Sequence, residues 1–183
     1  MSNEKSEKQN KSLRDFFIFT YFKTKECENI NNDCDDYNDY NNELIQNIIK
    51  KAYNDATMMG AYNTLISKEL SDKSYSSYCK ATKSINKEIY NVKVNRSTQG
   101  SFDKWHKKTC RKIIECYDEV NSDKSIFTYG NAQKWLNMTM KYLYICGAYT
   151  FDGIFPYLHV PIDNYIFHIV QKEFGIPCPK IRW

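Results

Sequence analysis

At 183 residues the chain is sized for one domain, able to bury about 70% of the surface that its unfolded form exposes. Its net charge of +4 is too mild to argue for a nucleic-acid partner and too mild to exclude one. The longest apolar runs fall far short of a membrane span, so no membrane partner is expected. Fifteen tyrosines in an Asn- and Lys-rich composition supply apolar bulk with polar tips, suited both to a core and to a wet cleft.

The segment from Met1 is polar and carries no secretory signal. The cysteines (Cys27, Cys34, Cys79, Cys110, Cys116, Cys146 and Cys178) are odd in number and follow no repeated short spacing, which favours free thiols in a reducing cytoplasm. His106 and Cys110 stand four apart in a helical stretch, a spacing able to share a metal. With no second pair in the sequence, no metal site is assigned.

In chain order, residues 1–12 read as a disordered N-terminus and 13–183 as one helical domain. Leu13 to Phe22 is rich in aromatics and fits either a first helix or an extended packing arm. Residues 26–43 are acidic and asparagine-rich with no basic residue, the composition of a solvated loop. From Leu44 a helical stripe begins: Ile45, Ile48, Ala52, Ala56 and Met59 fall on one face. After a polar break at Ser71–Ser74 a second stripe follows, made of Tyr78, Thr82, Ile85 and Ile89. Val92–Val94 suits a brief extended piece and Arg96–Gly100 a loop.

The next helix is expected from Ser101 or Phe102 to about Val120, burying Trp105, Thr109, Ile113, Cys116 and Val120. Lys104, Lys107, Lys108, Arg111 and Lys112 lie mostly opposite that stripe. Such a ribbon serves either as a row of contacts to DNA phosphates or as a solvated face.

A helix starting near Gly130 places Ala132, Leu136, Met140 and Leu143 on its core side. Lys134, Asn137 and Lys141 share another stripe able to look into a cleft. Gly147 is its expected stop. Phe151, Phe155 and Tyr157 then offer aromatic faces suited to stacking on an extruded base, or to pinning a loop to the core. A last helix is expected to bury Tyr165, Ile166, Ile169 and Val170, and Gly175–Pro179 cannot continue it.

Two short pieces carry the chemistry. Tyr129-Gly130-Asn131-Ala132-Gln133-Lys134 delivers a lysine into an opening helix, and His159-Val160-Pro161-Ile162-Asp163 delivers an aspartate into another. A lysine attacks carbon only as the neutral amine, so it needs a desolvated site and a group to take its proton. An aspartate just after Pro161 is favoured as the anion by the helix start. The bland alternatives are a solvated lysine and a capping aspartate.

The segment Pro161 to Gln171, preceded by Gly130 to Asn137, resembles the corresponding pieces of the helix-hairpin-helix DNA glycosylases, in particular the oxoguanine DNA glycosylase fold. The resemblance covers about a quarter of the chain, in its C-terminal half. It implies an all-α fold and a base-excision repair activity, with or without a lyase step, on duplex DNA with an extruded base. It also implies catalysis by Lys134 as nucleophile and Asp163 as stabilising carboxylate, with no cofactor. Gln133, Asn137, Tyr157, His159 and His168 are the nameable substrate-binding candidates. Gly130, Asn131, Lys104, Lys108, Arg111 and Lys141 are the candidates for the DNA backbone. The chain departs from the family in its hairpin, Phe127-Thr128-Tyr129-Gly130-Asn131, which has one glycine and no proline. It departs also in a longer interval between Lys134 and Asp163, with 147–158 as an insertion.

Taken together, the stripes and the lack of sustained alternation predict an all-α domain of about six to eight helices. The leading functional expectation is a DNA glycosylase. The alternative is a non-catalytic nucleic-acid-binding or protein-interaction module of similar fold, for example in a bacterial defence or phage system.

Overall fold

The computed structural model describes residues 2–22, 43–57, 68–92, 98–121, 126–160 and 164–177, and its regular structure there is entirely helical. Among the described residues six α-helices follow in order: α1 (Ser2–Phe22), α2 (Glu43–Thr57), α3 (Lys68–Val92), α4 (Gln99–Glu115), α5 (Tyr129–Ile145) and α6 (Asn164–Phe174). A 3-10 turn, Phe155–Tyr157, lies between the last two. The all-α class expected from periodicity is the one observed. Among the described residues no helix is long and apolar enough to cross a membrane.

The centre of the molecule is α5. Ala132, Trp135, Leu136, Asn137, Thr139, Met140, Tyr142 and Leu143 are all buried, so the helix is covered on most of its circumference. Its start is set by Thr128, whose hydroxyl accepts from the Asn131 amide while Asn131 Oδ1 accepts from the Thr128 amide at 2.9 Å. This reciprocal capping satisfies donors that an opening helix leaves unpaired. Its end is set by Gly147, at φ 68°, with Ala148 N–H donating to the Leu143 carbonyl and Gly147 N–H to that of Tyr144. That left-handed backbone is what favours glycine here, and a Cβ would also fall 2.9 Å from Arg14 Nη1, the end of a flexible side chain that would have to shift.

α2 packs along α5. Trp135 Nε1 donates to the Ile49 carbonyl at 3.0 Å, Asn131 Nδ2 donates to the Ala56 carbonyl at 2.9 Å, and the Tyr142 hydroxyl donates to Asp55 at 2.6 Å. Lys51 pairs with the other oxygen of the same carboxylate. The Trp135 ring stacks parallel on Tyr78 of α3 and meets Tyr53 of α2 at 4.8 Å and Phe127 edge-on. Phe127 in turn stacks on Tyr117 at 4.0 Å. One aromatic chain thus ties α2, α3, the segment after α4 and α5.

α3 and α4 lie side by side, and Lys112 pairs with Glu88 across them. The stripe expected on α3 holds, with Thr82, Ile85 and Ile89 buried and Tyr78 partly so. The break expected at Ser71–Ser74 does not exist: the helix begins at Lys68 and runs through it. Ser74 and Ser77 are buried on the same stripe, where small residues let the neighbours come close; a reading keyed to hydrophobicity passes over them.

Four further expectations are corrected or narrowed. Residues 2–12, read as disordered, belong to α1, because Glu, Lys and Gln are strong helix formers even without an apolar stripe. The alternative of an extended arm for Leu13–Phe22 is resolved in favour of a helix, anchored by Ile18 and Phe22, with Phe22 edge-on to Tyr142. Gln99 and Gly100, placed in a loop, are the first residues of α4, because Thr98 caps it reciprocally with Ser101. α4 ends at Glu115 and its continuation to Val120 consists of turns. Finally, Ile166 and Ile169 of α6 are exposed rather than buried: a periodic stripe marks a face in need of cover and does not say what covers it. Most of the acidic 26–43 segment, Met59 and Val94 lie outside the described residues.

Trp135→Ala should cost about 3–5 kcal/mol of unfolding free energy in urea titrations, because it empties the junction of four elements and removes the donor to Ile49.

Candidate functional site

α4 carries Asp103, His106 and Cys110 at intervals of three and four, so all three share one helical face. The neighbouring α5 presents Asn137 to that face. His106 Nε2–H donates to Asn137 Oδ1 at 2.7 Å, both side chains being buried. That bond fixes the ring tautomer and leaves Nδ1 to accept from the Cys110 thiol at 3.8 Å. Both ring nitrogens of His106 are therefore engaged, and the helical pairing with Cys110 weighed for a metal is instead a hydrogen bond. Among the described residues no group of three or more His, Cys, Asp or Glu side chains is arranged around a metal position.

The third wall comes from the connection after α5. Phe151 is buried at φ 55°, a left-handed conformation that costs of order 1 kcal/mol or more for a non-glycine residue. Its carbonyl accepts from the amides of Ile154 and Phe155, which folds the chain back on itself. The fold-back delivers Tyr157 and His159 to α4. Gln99 donates to the Tyr157 carbonyl at 3.3 Å and to Asp103 at 2.7 Å. His159 Nε2 lies 2.8 Å from Asp103 Oδ1, and its ring packs against His106 at 4.3 Å and edge-on to Phe102 at 5.3 Å.

Burial divides the cluster electrically. His106 is pushed down to about 4 by desolvation, only partly countered by its bond to Asn137, and so stands as a neutral ring. Burial raises the Cys110 thiol to about 12, which keeps it protonated and unreactive. Asp103 at the rim is held below the ordinary carboxylate range by Gln99 and then His159. His159 keeps 29% of its side chain exposed, so the Asp103–His159 pair is the part of the cluster that solvent or a ligand reaches.

Three of the substrate-binding candidates meet here: Asn137, Tyr157 and His159. Asn137 does so from behind His106 and not in an open cleft. Gln133 is half-buried and His168 exposed on α6, and neither is bonded into the cluster. Lys134 is half-buried one turn before Asn137, and Lys141 is exposed one turn after it. Asp163 lies outside the described residues. Asn131 serves the helix cap and the tie to α2, so its side chain is committed to the fold. Gly130 is half-buried in the first turn of α5. Lys104, Lys107, Lys108 and Arg111 stand exposed along α4, whereas Lys112 is taken up by Glu88. No acidic residue occurs in α5, and α4 has only Asp103 and Glu115 against five cations. Of the aromatics, Phe151 pins the connection to the core, Phe155 is exposed against Tyr144, and Tyr157 is half-buried.

Asp103 and Gln99 are the site residues that sequence reasoning passed over. The signal available was the alignment of Asp103 with His106 and Cys110; what was missing was knowledge that the 146–160 connection returns to α4. Searches of protein-family models, curated proteins and solved structures give no match to this chain.

Because the folded His106 binds its proton well below its ordinary 6.5, the unfolded chain takes up that proton first as pH falls. Its contribution to stability is full above pH 6.5, is lost as pH drops toward 4 and is flat below that. The loss amounts to about 3 kcal/mol at 1.36 kcal/mol per unit. Urea unfolding of the wild type and His106→Gln between pH 7.5 and 4 should show that the variant lacks this component.

Proposed function

We propose that the protein is a DNA glycosylase that uses Lys134 as an amine nucleophile on the sugar of an extruded nucleotide, with Asp163 as the partner carboxylate. The observation that supports this reading is that Asn137, on the α5 stripe that bears Lys134, bonds to His106 of α4, against which His159 packs, beside the cationic row of α4. Lys104, Lys107, Lys108 and Arg111 on one exposed face, with Lys134 and Lys141 on an acid-free neighbour, suit a phosphate backbone. The roles of the two residues rest on the resemblance to the helix-hairpin-helix glycosylases. The unpaired Cys79, Cys110, Cys116 and Cys146 suit a reducing, cytoplasmic setting.

A second reading, a nucleic-acid-binding module without chemistry, is favoured by one observation: Asn131 of the hairpin is spent on capping and on α2 rather than left for a backbone clamp. The two separate in one set of experiments. Borohydride trapping on duplexes carrying assorted base lesions should give a covalent adduct for the wild type and none for Lys134→Ala. DNA affinity should fall with salt, and replacing Lys104, Lys107, Lys108 and Arg111 by alanine should lower the slope of log K against log salt by about 0.9 per lost phosphate contact. Salt-dependent affinity with no base release from any lesion selects the binding module. No affinity at low salt defeats both and leaves a protein-interaction domain.

A further inference from the structure

We propose that His159 is the proton donor to the departing base and that Asp103 is the residue that positions it. The inference rests on the glycosylase reading and adds to it a group that the lysine and aspartate do not supply. A base leaves a sugar as a poor anion unless its nitrogen is protonated as the bond breaks.

The geometry singles out this imidazole. Asp103 Oδ1 holds Nε2 at 2.8 Å, and the same oxygen accepts from Gln99, so the carboxylate is itself fixed. The ring is clamped between His106 at 4.3 Å and the edge of Phe102 at 5.3 Å. With Nε2 occupied, Nδ1 is the atom through which a proton passes. His159 is the partly exposed histidine of the cluster, whereas His106 beneath it is buried with both nitrogens used. The titratable groups facing His159 are Asp103 and His106 of α4, the first anionic and the second neutral near pH 7. α5 reaches the cluster through uncharged Asn137.

The step balances. The C1′–N bond breaks with its electron pair going to the base nitrogen, which takes the Nδ1 proton and leaves His159 neutral. The Lys134 amine forms the new C1′–N bond, and its surplus proton passes to the Asp163 carboxylate. Asn137, one turn from Lys134 and bonded to the ring beneath His159, links the donor to the nucleophile's helix.

Leaving-group dependence tests the assignment, because a proton donor matters most for a base that leaves badly. Single-turnover base release should be compared on duplexes carrying an ordinary base and one whose anion is stabilised by electron-withdrawing substituents. His159→Gln should lower release of the ordinary base by about 10²- to 10⁴-fold and of the activated base by less than about 10-fold, with DNA affinity within a few-fold of wild type. Asp103→Asn should show the same pattern with smaller losses. A purely structural role would slow both substrates equally or weaken binding. Should His159→Gln lose its helical circular dichroism, His159→Asn provides the same comparison. Equal losses on the two substrates, or no loss on either, overturn the assignment while Lys134 trapping leaves the glycosylase reading standing. A wild type that releases no base from any duplex overturns both.

Discussion

The burial of Trp135 is the constraint on which the rest depends. An indole placed fully inside needs both apolar walls and an acceptor for its N–H, and it finds the Ile49 carbonyl on one side and the rings of Tyr53, Tyr78 and Phe127 around it. Satisfying it fixes α5 against α2 and α3. Once that rotation of α5 is set, the residue two further along, Asn137, must point toward α4, and Lys134 and Lys141 must lie on either side of it. The polar cluster is therefore a consequence of how the core is filled.

Within the cluster, the deep and the shallow histidine do different work because water reaches one and not the other. His106 is neutral, hydrogen-bonded at both nitrogens and adjacent to an unreactive thiol, so it acts as a floor. His159 rests on that floor and is held from the side by Asp103. The contrast between a desolvated partner and an accessible one is how a folded chain gives two identical side chains distinct chemistry. The connection from Gly147 to His159, with its left-handed Phe151, is the device that brings the second histidine in. Backbone strain of this kind is maintained only where surrounding packing imposes it.

The cationic surface follows a different rule. Lys104, Lys107, Lys108 and Arg111 are exposed because the opposite side of α4 supplies Phe102, Trp105, Thr109 and Ile113 to the core. Lys112 shows that proximity in sequence does not make a residue part of that row: it lies across from Glu88 on α3 and is neutralised there. The same applies to Asn131, whose place in the hairpin suggested a backbone contact and whose side chain is instead the hinge of a cap. Local chemistry claimed both residues before any ligand could.

What the sequence determined by itself was the helical class, the core stripes of α2, α3 and α5, the glycine stop at Gly147 and the exposure of four of the five α4 cations, Lys112 excepted. Each follows from a period of 3.6 residues or from a backbone preference, and both are local. The capping of α4 by Thr98 was local too, but serine and glycine at its start resembled a loop more than a helix. What only the tertiary structure decided was which faces meet. Nothing in the spacing of His106, Asn137 and His159 says that three elements bring them within hydrogen-bonding or stacking distance, because such contacts depend on how α5 is rotated and where the chain returns after it. The stripe on α6 makes the same point in reverse: its period is clear, yet Ile166 and Ile169 remain exposed, since amphipathicity states a demand for burial and packing alone decides whether it is met.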